Sequence, residues 1–318
     1  MALPTNALAT YEAIGNREDL SDFIYRIDPT ETPFTSGVER ETATAVLHEW
    51  QTQALAAASG SNAQLEGDDI TADSVTATVR LGNVAQISRK AATVSGTQQA
   101  VQHAGRGNEL DYQVMLKGLE LKRDIETVLC GTNQAKNSGN DTTVRKTASL
   151  LSWVKSNTSK GSAGSDPSAA DGTGTRTDGT QRAFTESLLK GVINSIWTAG
   201  GKPTMIMTGA FNKQVFSTFT GRSTPVEQAT SRQIVAAVDA YESDFGKMKV
   251  VPNRFSRSRD VWVLEVEKWA LAYIKGRNMV SIPLARTGDS ERRAVVTEYA
   301  LVARNEKSSG GVFDLTTS

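Results

Sequence analysis

Ala45-Val46-Leu47-His48-Glu49-Trp50-Gln51-Thr52 and the run from Val75 to Ile87 read as two strand-like arms around a tip at residues 56–73. The tip is alanine, serine, glycine and asparagine followed by Leu65-Glu66-Gly67-Asp68-Asp69, with little large apolar material to bury. A two-stranded arm of this length is marginal in water by itself, because an isolated hairpin lacks a second apolar surface. We expect it to lie on another subunit, which points to an assembly protein before it points to an enzyme.

Outward from this hairpin, residues 108–130 carry Leu110, Val114, Leu121, Ile125 and Val128 at the three-and-four spacing of one helix face. Lys122 and Glu126 stand four apart on the expected polar side, and Gly131 marks the C-terminal end. On the N-terminal side, Asn16 caps an expected short helix to Ile27, with Glu18 and Asp19 in its first turn. Pro29-Thr30-Glu31-Thr32-Pro33-Phe34 stops it, so residues 1–37 read as an arm. Phe184, Leu188, Leu189, Val192, Ile193, Ile196 and Trp197 mark a second amphipathic helix that ends near Gly200-Gly201. Strands are expected at residues 204–208, 248–251, 261–265, 269–274 and 293–304, and a helix at 210–219. Residues 156–181, rich in serine, glycine, threonine, alanine and aspartate and without an aromatic residue, read as a mobile loop or domain junction, taken as an exposed insertion. Helices and strands intermix without a βαβ rhythm, so the fold class is α+β.

The 318 residues hold 35 basic and 35 acidic side chains. That is enough chain for a substantial core, with no net field to attract nucleic acid. No apolar run is long enough to span a bilayer and no signal peptide opens the chain, so no membrane partner is expected and the chain is read as made and used in a cytoplasm. A single cysteine, Cys130, excludes an intramolecular disulfide and a CxxC metal site. It reads as a small buried hydrophobe.

Chemical motifs are sparse. Gly200-Gly201-Lys202-Pro203-Thr204 lacks the first glycine of a phosphate loop, and proline follows its lysine. Ser187-Leu188-Leu189-Lys190 matches SxxK but lies in the amphipathic helix without the partner motifs of a serine acyl enzyme. His48 and His103 have no histidine or cysteine at ligand spacing. Glu66, Asp68 and Asp69 lack the layout of an EF-hand and read as a solvated acidic tip or one that meets a basic neighbour. Arg254, Arg257 and Arg259 form the densest basic patch; phosphate contact is one reading, and pairing with carboxylates across an interface is the favoured one. The expectation is no catalytic residue, no cofactor and no metal.

The chain resembles the major head proteins of tailed bacteriophages with the Hong-Kong-97-like capsid fold, in particular the SU-ten-like group. The runs that carry the resemblance include Gly15-Asn16-Arg17-Glu18-Asp19-Leu20, Pro29-Thr30-Glu31-Thr32-Pro33-Phe34, Leu47-His48-Glu49-Trp50-Gln51-Thr52 and Leu65-Glu66-Gly67-Asp68. Others are Glu120-Leu121-Lys122-Arg123-Asp124-Ile125-Glu126, Val251-Pro252-Asn253-Arg254-Phe255, Thr287-Gly288-Asp289-Ser290-Glu291 and Arg304-Asn305-Glu306-Lys307. No single run is diagnostic, but their joint order spans nearly the whole chain.

The resemblance implies an N-terminal arm at residues 1–43, an extended loop at 44–90 and a peripheral domain at 91–150 with a spine helix at 108–130. It further implies an axial domain at 151–282, containing the 156–181 insertion, and peripheral-domain strands at 283–318. Candidate inter-subunit contacts are Phe34, Trp50, Leu65, Glu66, Asp68, Asp69, Arg254, Arg257 and Arg259. The implied function is a major capsid protein that forms hexamers and pentamers of itself, assembled in the host cytoplasm into an icosahedral head around packaged double-stranded DNA. Implied partners are a portal, a cement protein and, because the arm begins almost at Met1, a separate scaffolding protein. A tail or tube protein is the competing reading, which stacked rings rather than closed shells would favour.

Overall fold

The computed structural model describes residues 27–67, 69–70, 72–219 and 240–318. The short helix expected from Asn16 and the tip residue Asp68 lie outside them. After α1 (Pro33–Gly37), β1 (Glu39–Ala43) leads into β2 (Leu47–Thr52) and, across residues 53–78, into β3 (Val79–Val84) and β4 (Gln86–Ser95). Next come α2 (Gly96–Ala100), α3 (Glu109–Glu126), α4 (Leu150–Trp153), β5 (Thr158–Ser159), α5 (Glu186–Thr198), β6 (Met205–Thr208) and α6 (Ala210–Ser217). The remainder is strand-rich: β7 (Ala240–Ser243), β8 (Gly246–Pro252), β9 (Val261–Leu264), β10 (Trp269–Ile274), β11 (Val280–Pro283), β12 (Ser290–Ala303) and β13 (Gly310–Val312).

Two sheets organise these elements. One runs β1-β10-β12-β11, with β4 also pairing along β12; the other runs β5-β13-β9-β6-β8-β7. The chain passes from the second sheet to the first at Val266–Lys268, a 3-10 turn between β9 and β10. The sequence-based boundary at residue 282 is therefore corrected: β10 belongs with β12, while β13, near the C-terminus, returns to the other sheet. Neither switch is visible locally, because β9 and β10 are both continuous apolar runs buried on two faces.

Alternation along the strands builds the core. Met205, Met207, Trp262 and Leu264 face a cluster shared by both sheets, which holds Trp153, Trp269, Leu271, Tyr299, Leu301 and Phe313. Ile206, Val261 and Val263, on the opposite face, pack with Leu189, Val192, Ile193 and Ile196 of α5.

Helix α3 starts where Asn108 accepts a hydrogen bond from Asp111 N at 3.0 Å, with Glu109 and Asp111 in the favourable first turn. It packs against β4 and β12 and ends in a π-helical turn, Thr127–Gly131. Gly131 is needed there for close approach: a Cβ on it would lie 2.4 Å from Phe255 O. Glu126 departs from the expected pattern, since it is fully buried rather than on the polar side.

The segment at residues 156–181 is not the expected mobile insertion. It has little regular structure, yet Gly161, Pro167, Gly172 and Arg176 are buried, and Ser165 and Thr177 exchange backbone hydrogen bonds of 3.0 and 2.9 Å. β5 within it pairs with β13. Polar burial holds this segment, and a hydrophobic pattern carries no signal of that.

Candidate assembly interface

The hairpin β2–β3 is a two-stranded sheet whose base is fixed on its own subunit. Trp50 Nε1 donates to Ala303 O at 3.0 Å, and its ring sits 5.5 Å from that of Trp153. Asn83, fully buried, donates to Leu301 O at 2.7 Å and accepts from Ala148 N at 2.9 Å. Lys136 Nζ donates to Gly82 O at 2.9 Å, and Arg80 pairs with Glu49 across the two strands. The second apolar surface that a hairpin needs is thus supplied, at the base, by the chain itself.

Beyond Thr52 and Val79 that support stops. Every described residue of the 53–78 loop is exposed, including Leu55, Leu65, Ile70 and Val75, with Ile70 at 94%. Gln53 donates to Thr76 O and Thr78 to Gln51 Oε1, each at 2.9 Å, which hold the two stems together where the ladder ends. The loop carries Glu66, Asp68, Asp69 and Asp73 and no basic residue. It therefore presents separated apolar side chains on an acidic segment, a surface that suits a partner with apolar pockets and a basic rim.

The candidate contacts fall into two groups. Leu65, Glu66 and Asp69 are exposed on the loop, and Arg254 is exposed at the start of the β8–β9 connection. Phe34 is fully buried, packed edge-on against Trp269 at 6.5 Å, so it is a core residue rather than an interface residue. Trp50 is half-buried on its own core, for the reasons given above.

Arg257 and Arg259 find carboxylates, as expected, but within the chain rather than across an interface. Arg257 donates to Asp178 at 2.6 and 2.7 Å, and Arg259 reaches Asp178 at 3.2 Å and Asp314 at 2.8 Å. Asp314 also accepts from Gly161 N and Gly179 N at 3.1 and 2.9 Å. Arg176 Nη2 donates to Asp166 at 2.5 Å, with the guanidinium 3.8 Å above the Phe313 ring. This network ties the 156–181 segment to the β8–β9 connection and to the C-terminus.

Within it Asp260 is 1% exposed, and burial pushes its carboxyl up to about 7, against the pull of Arg257 and Arg176. With an unfolded value near 3.8, the folded chain holds an extra proton between the two values. Its contribution to stability is full below the lower value and is lost as pH rises through about 7. Asp260→Asn is therefore expected to raise the melting temperature relative to the parent at pH 8, with the gain shrinking toward pH 5. Thermal melts of both chains across that range check it, and a pH-independent difference would contradict the assignment.

The remaining motifs have structural explanations. Lys202 N donates to Glu265 Oε2 at 2.9 Å, and Gly201 lies against Ser308, so that turn offers no anion cradle. Lys190 pairs with Glu186 at 2.9 Å on α5. His48 lies 3.4 Å from Glu41, and His103 bonds Gln98 at 3.0 Å. Burial raises the Cys130 thiol well above its ordinary range, as suits an inert core residue. Among the described residues no cluster of histidine, cysteine, aspartate or glutamate is arranged to hold a metal, and no helix is long and apolar enough to cross a membrane.

A two-sheet body with a long backing helix and an outreaching hairpin loop has the Hong-Kong-97-like capsid fold. The sequence profile described as SU10 major capsid protein matches residues 4–316, and the chain belongs to that family. It is 27% identical, over 98% of each chain, to the major capsid protein of Escherichia phage Phieco32. Among solved structures it resembles the cyanophage A-1(L) capsid, with TM-score 0.63 and 13% identity over 98% of this chain and 99% of that one. It also resembles a chain of the satellite phage P4 procapsid that includes a size determination (Sid) protein, with TM-score 0.54 and 8% identity over 92% and 94%. The chain is a major capsid protein of a tailed phage, located in the virion capsid.

Proposed function

We propose that this chain assembles as hexamers and pentamers into a closed icosahedral head around double-stranded DNA, with the 53–78 loop of each subunit seated on a neighbour. The observation that carries the proposal is the loop itself: a stem anchored by Trp50 and Asn83, and beyond it exposed leucine, isoleucine and valine side chains that no described residue of the chain covers. Burying such side chains at many modest contacts stabilises an assembly without any one strong interface. In this reading α3 is the spine helix, the β12-centred sheet forms the peripheral domain and the β9-centred sheet the axial domain. Leu65, Glu66, Asp68 and Asp69 meet the neighbouring subunit, and Arg254 supplies positive charge at a contact.

A separate scaffolding protein, a portal and a cement protein complete the proposed set of partners, and the size determination protein in the P4 procapsid supports the first. Formal neutrality suits a container filled by an external motor rather than one that condenses DNA on its own surface. A photo-crosslinking residue placed at Leu65 tests the reading. Inter-chain crosslinks in assembled particles, absent from the dissociated chain, are expected, whereas exclusively intra-chain products would overturn it.

A further inference from the structure

Glu126 is the most unusual carboxylate in the chain. It is fully buried, it forms no ion pair with any described residue, and it stands at the end of α3, just before the π-helical turn at Thr127–Gly131. Leaving a carboxylate there is costly unless its hydrogen bonds do something an apolar side chain could not. Its partners come from two distant parts of the chain. Phe34 N donates to Oε1 at 2.9 Å and Thr35 N to Oε2 at 2.8 Å, while Asn253 Nδ2 donates to Oε1 at 2.7 Å. Asn253 is itself 2% exposed and braced, its backbone N–H bonded to Thr208 O at 2.9 Å and its Oδ1 to Phe255 N at 2.9 Å.

We infer that Glu126 is the positioning residue of the N-terminal arm: its carboxylate fixes the direction in which residues 27–38 cross the C-terminal end of α3 and hence how the arm is presented for assembly. Two adjacent backbone amides and a side-chain amide need two acceptor oxygens, and a carboxylate alone supplies them; a glutamine turns a donor toward one of the three. Opposite the clasp the arm is poorly supported. A groove of about 520 Å³, lined in part by Thr32, Ser36, Arg40, Lys122 and Tyr273, separates it from α3 and β10. The outer contact of the arm is the exposed Asp28, 3.9 Å from Arg123. Phe34 supplies burial, and Glu126 supplies the orientation.

Burial holds the Glu126 carboxyl above its usual range, against the pull of the Thr35 and Phe34 amides. Its charge acts on Cys130, one turn further along; the other titratable groups on the elements that meet there are Lys122 and Arg123 on α3, Asp28 and Glu31 on the arm, and Arg254 beyond Asn253. Of these only Cys130 is buried, so the others are screened by solvent. Protonation turns one acceptor into a donor and loosens the clasp as pH falls.

Amide hydrogen exchange on the full chain, corrected for intrinsic rates, tests this. In Glu126→Gln and Glu126→Ala, protection of the Phe34 and Thr35 amides is expected to fall tenfold or more while Leu271 and Leu301 keep theirs. In the parent, protection at Phe34 and Thr35 is expected to decline toward low pH, and in Glu126→Gln to be flat. Unchanged protection at Phe34 and Thr35 would overturn the inference, as would an equal loss throughout the core in both variants, which marks a general stabiliser. Only the final consequence, misformed shells from Glu126→Gln, rests on the proposed assembly. Failure of the parent chain to form shells counts against that reading, while the exchange data still decide the clasp.

Discussion

Deleting residues 56–73 is expected to leave a soluble, folded chain that forms no closed shell. The ladder ends with Thr52 opposite Val79, and residues 53–55 with 74–78 are ample to connect them. No described residue of the deleted segment is buried, and the anchors at Trp50 and Asn83 are untouched. A loop roughly threefold shorter closes at a lower entropy cost, which favours the chain by about 1 kcal/mol. The loss falls entirely on assembly, where Leu65, Ile70 and their neighbours would have been covered. Circular dichroism and electron microscopy of the same preparation separate the two effects. Closed shells of normal size from the deleted chain would refute the role given to the loop.

The second large effect is expected from Arg176→Ala. Its side chain is fully buried, bonds Asp166 and lies 3.8 Å above the Phe313 ring. Removing one partner of a buried pair costs about 3–5 kcal/mol, and the lower end applies here because Asp166 keeps Lys160 and Thr158. Arg176→Met retains the contact with Phe313 and is expected to lose less. Denaturant midpoints for both variants measure this. If residues 156–181 were a mobile insertion, Arg176→Ala would stay within about 0.5 kcal/mol of the parent, as exposed substitutions do.

That contrast shows where the sequence is legible. Elements with an apolar rhythm were readable close to their ends: α3, α5, β6, β9, β10 and β12 all lie near the predicted ranges. β1, β5, β11 and β13 were not, since Glu39–Ala43 is largely polar, β13 is Gly-Gly-Val and β5 has two residues. Short strands of this kind are defined by their neighbours rather than by their own side chains. The same holds for polar burial. Glu126 stands four residues from Lys122 and reads as a surface pair, yet its partners lie 91 and 127 residues away.

For the candidate interface, the exposed loop was legible because its composition cannot bury itself. Phe34 is a core residue and Trp50 is half-buried on the core, and the sequence does not show this for a complementary reason: an aromatic residue beside a polar, irregular segment fits an inter-subunit anchor or a local core equally well. Only tertiary contacts, Trp269 for one and Ala303 for the other, separate the two. Arg257 and Arg259 were expected to meet carboxylates across an interface; the ones they meet, Asp178 and Asp314, are in the same chain but far along it, and no spacing connects them.

The most direct test of the central claim is negative-stain electron microscopy of the purified chain, alone and with its candidate scaffolding partner. Rings of fivefold or sixfold symmetry, or closed shells, are the predicted result. Tubes of stacked rings, or a monomer that persists under both conditions, would contradict it.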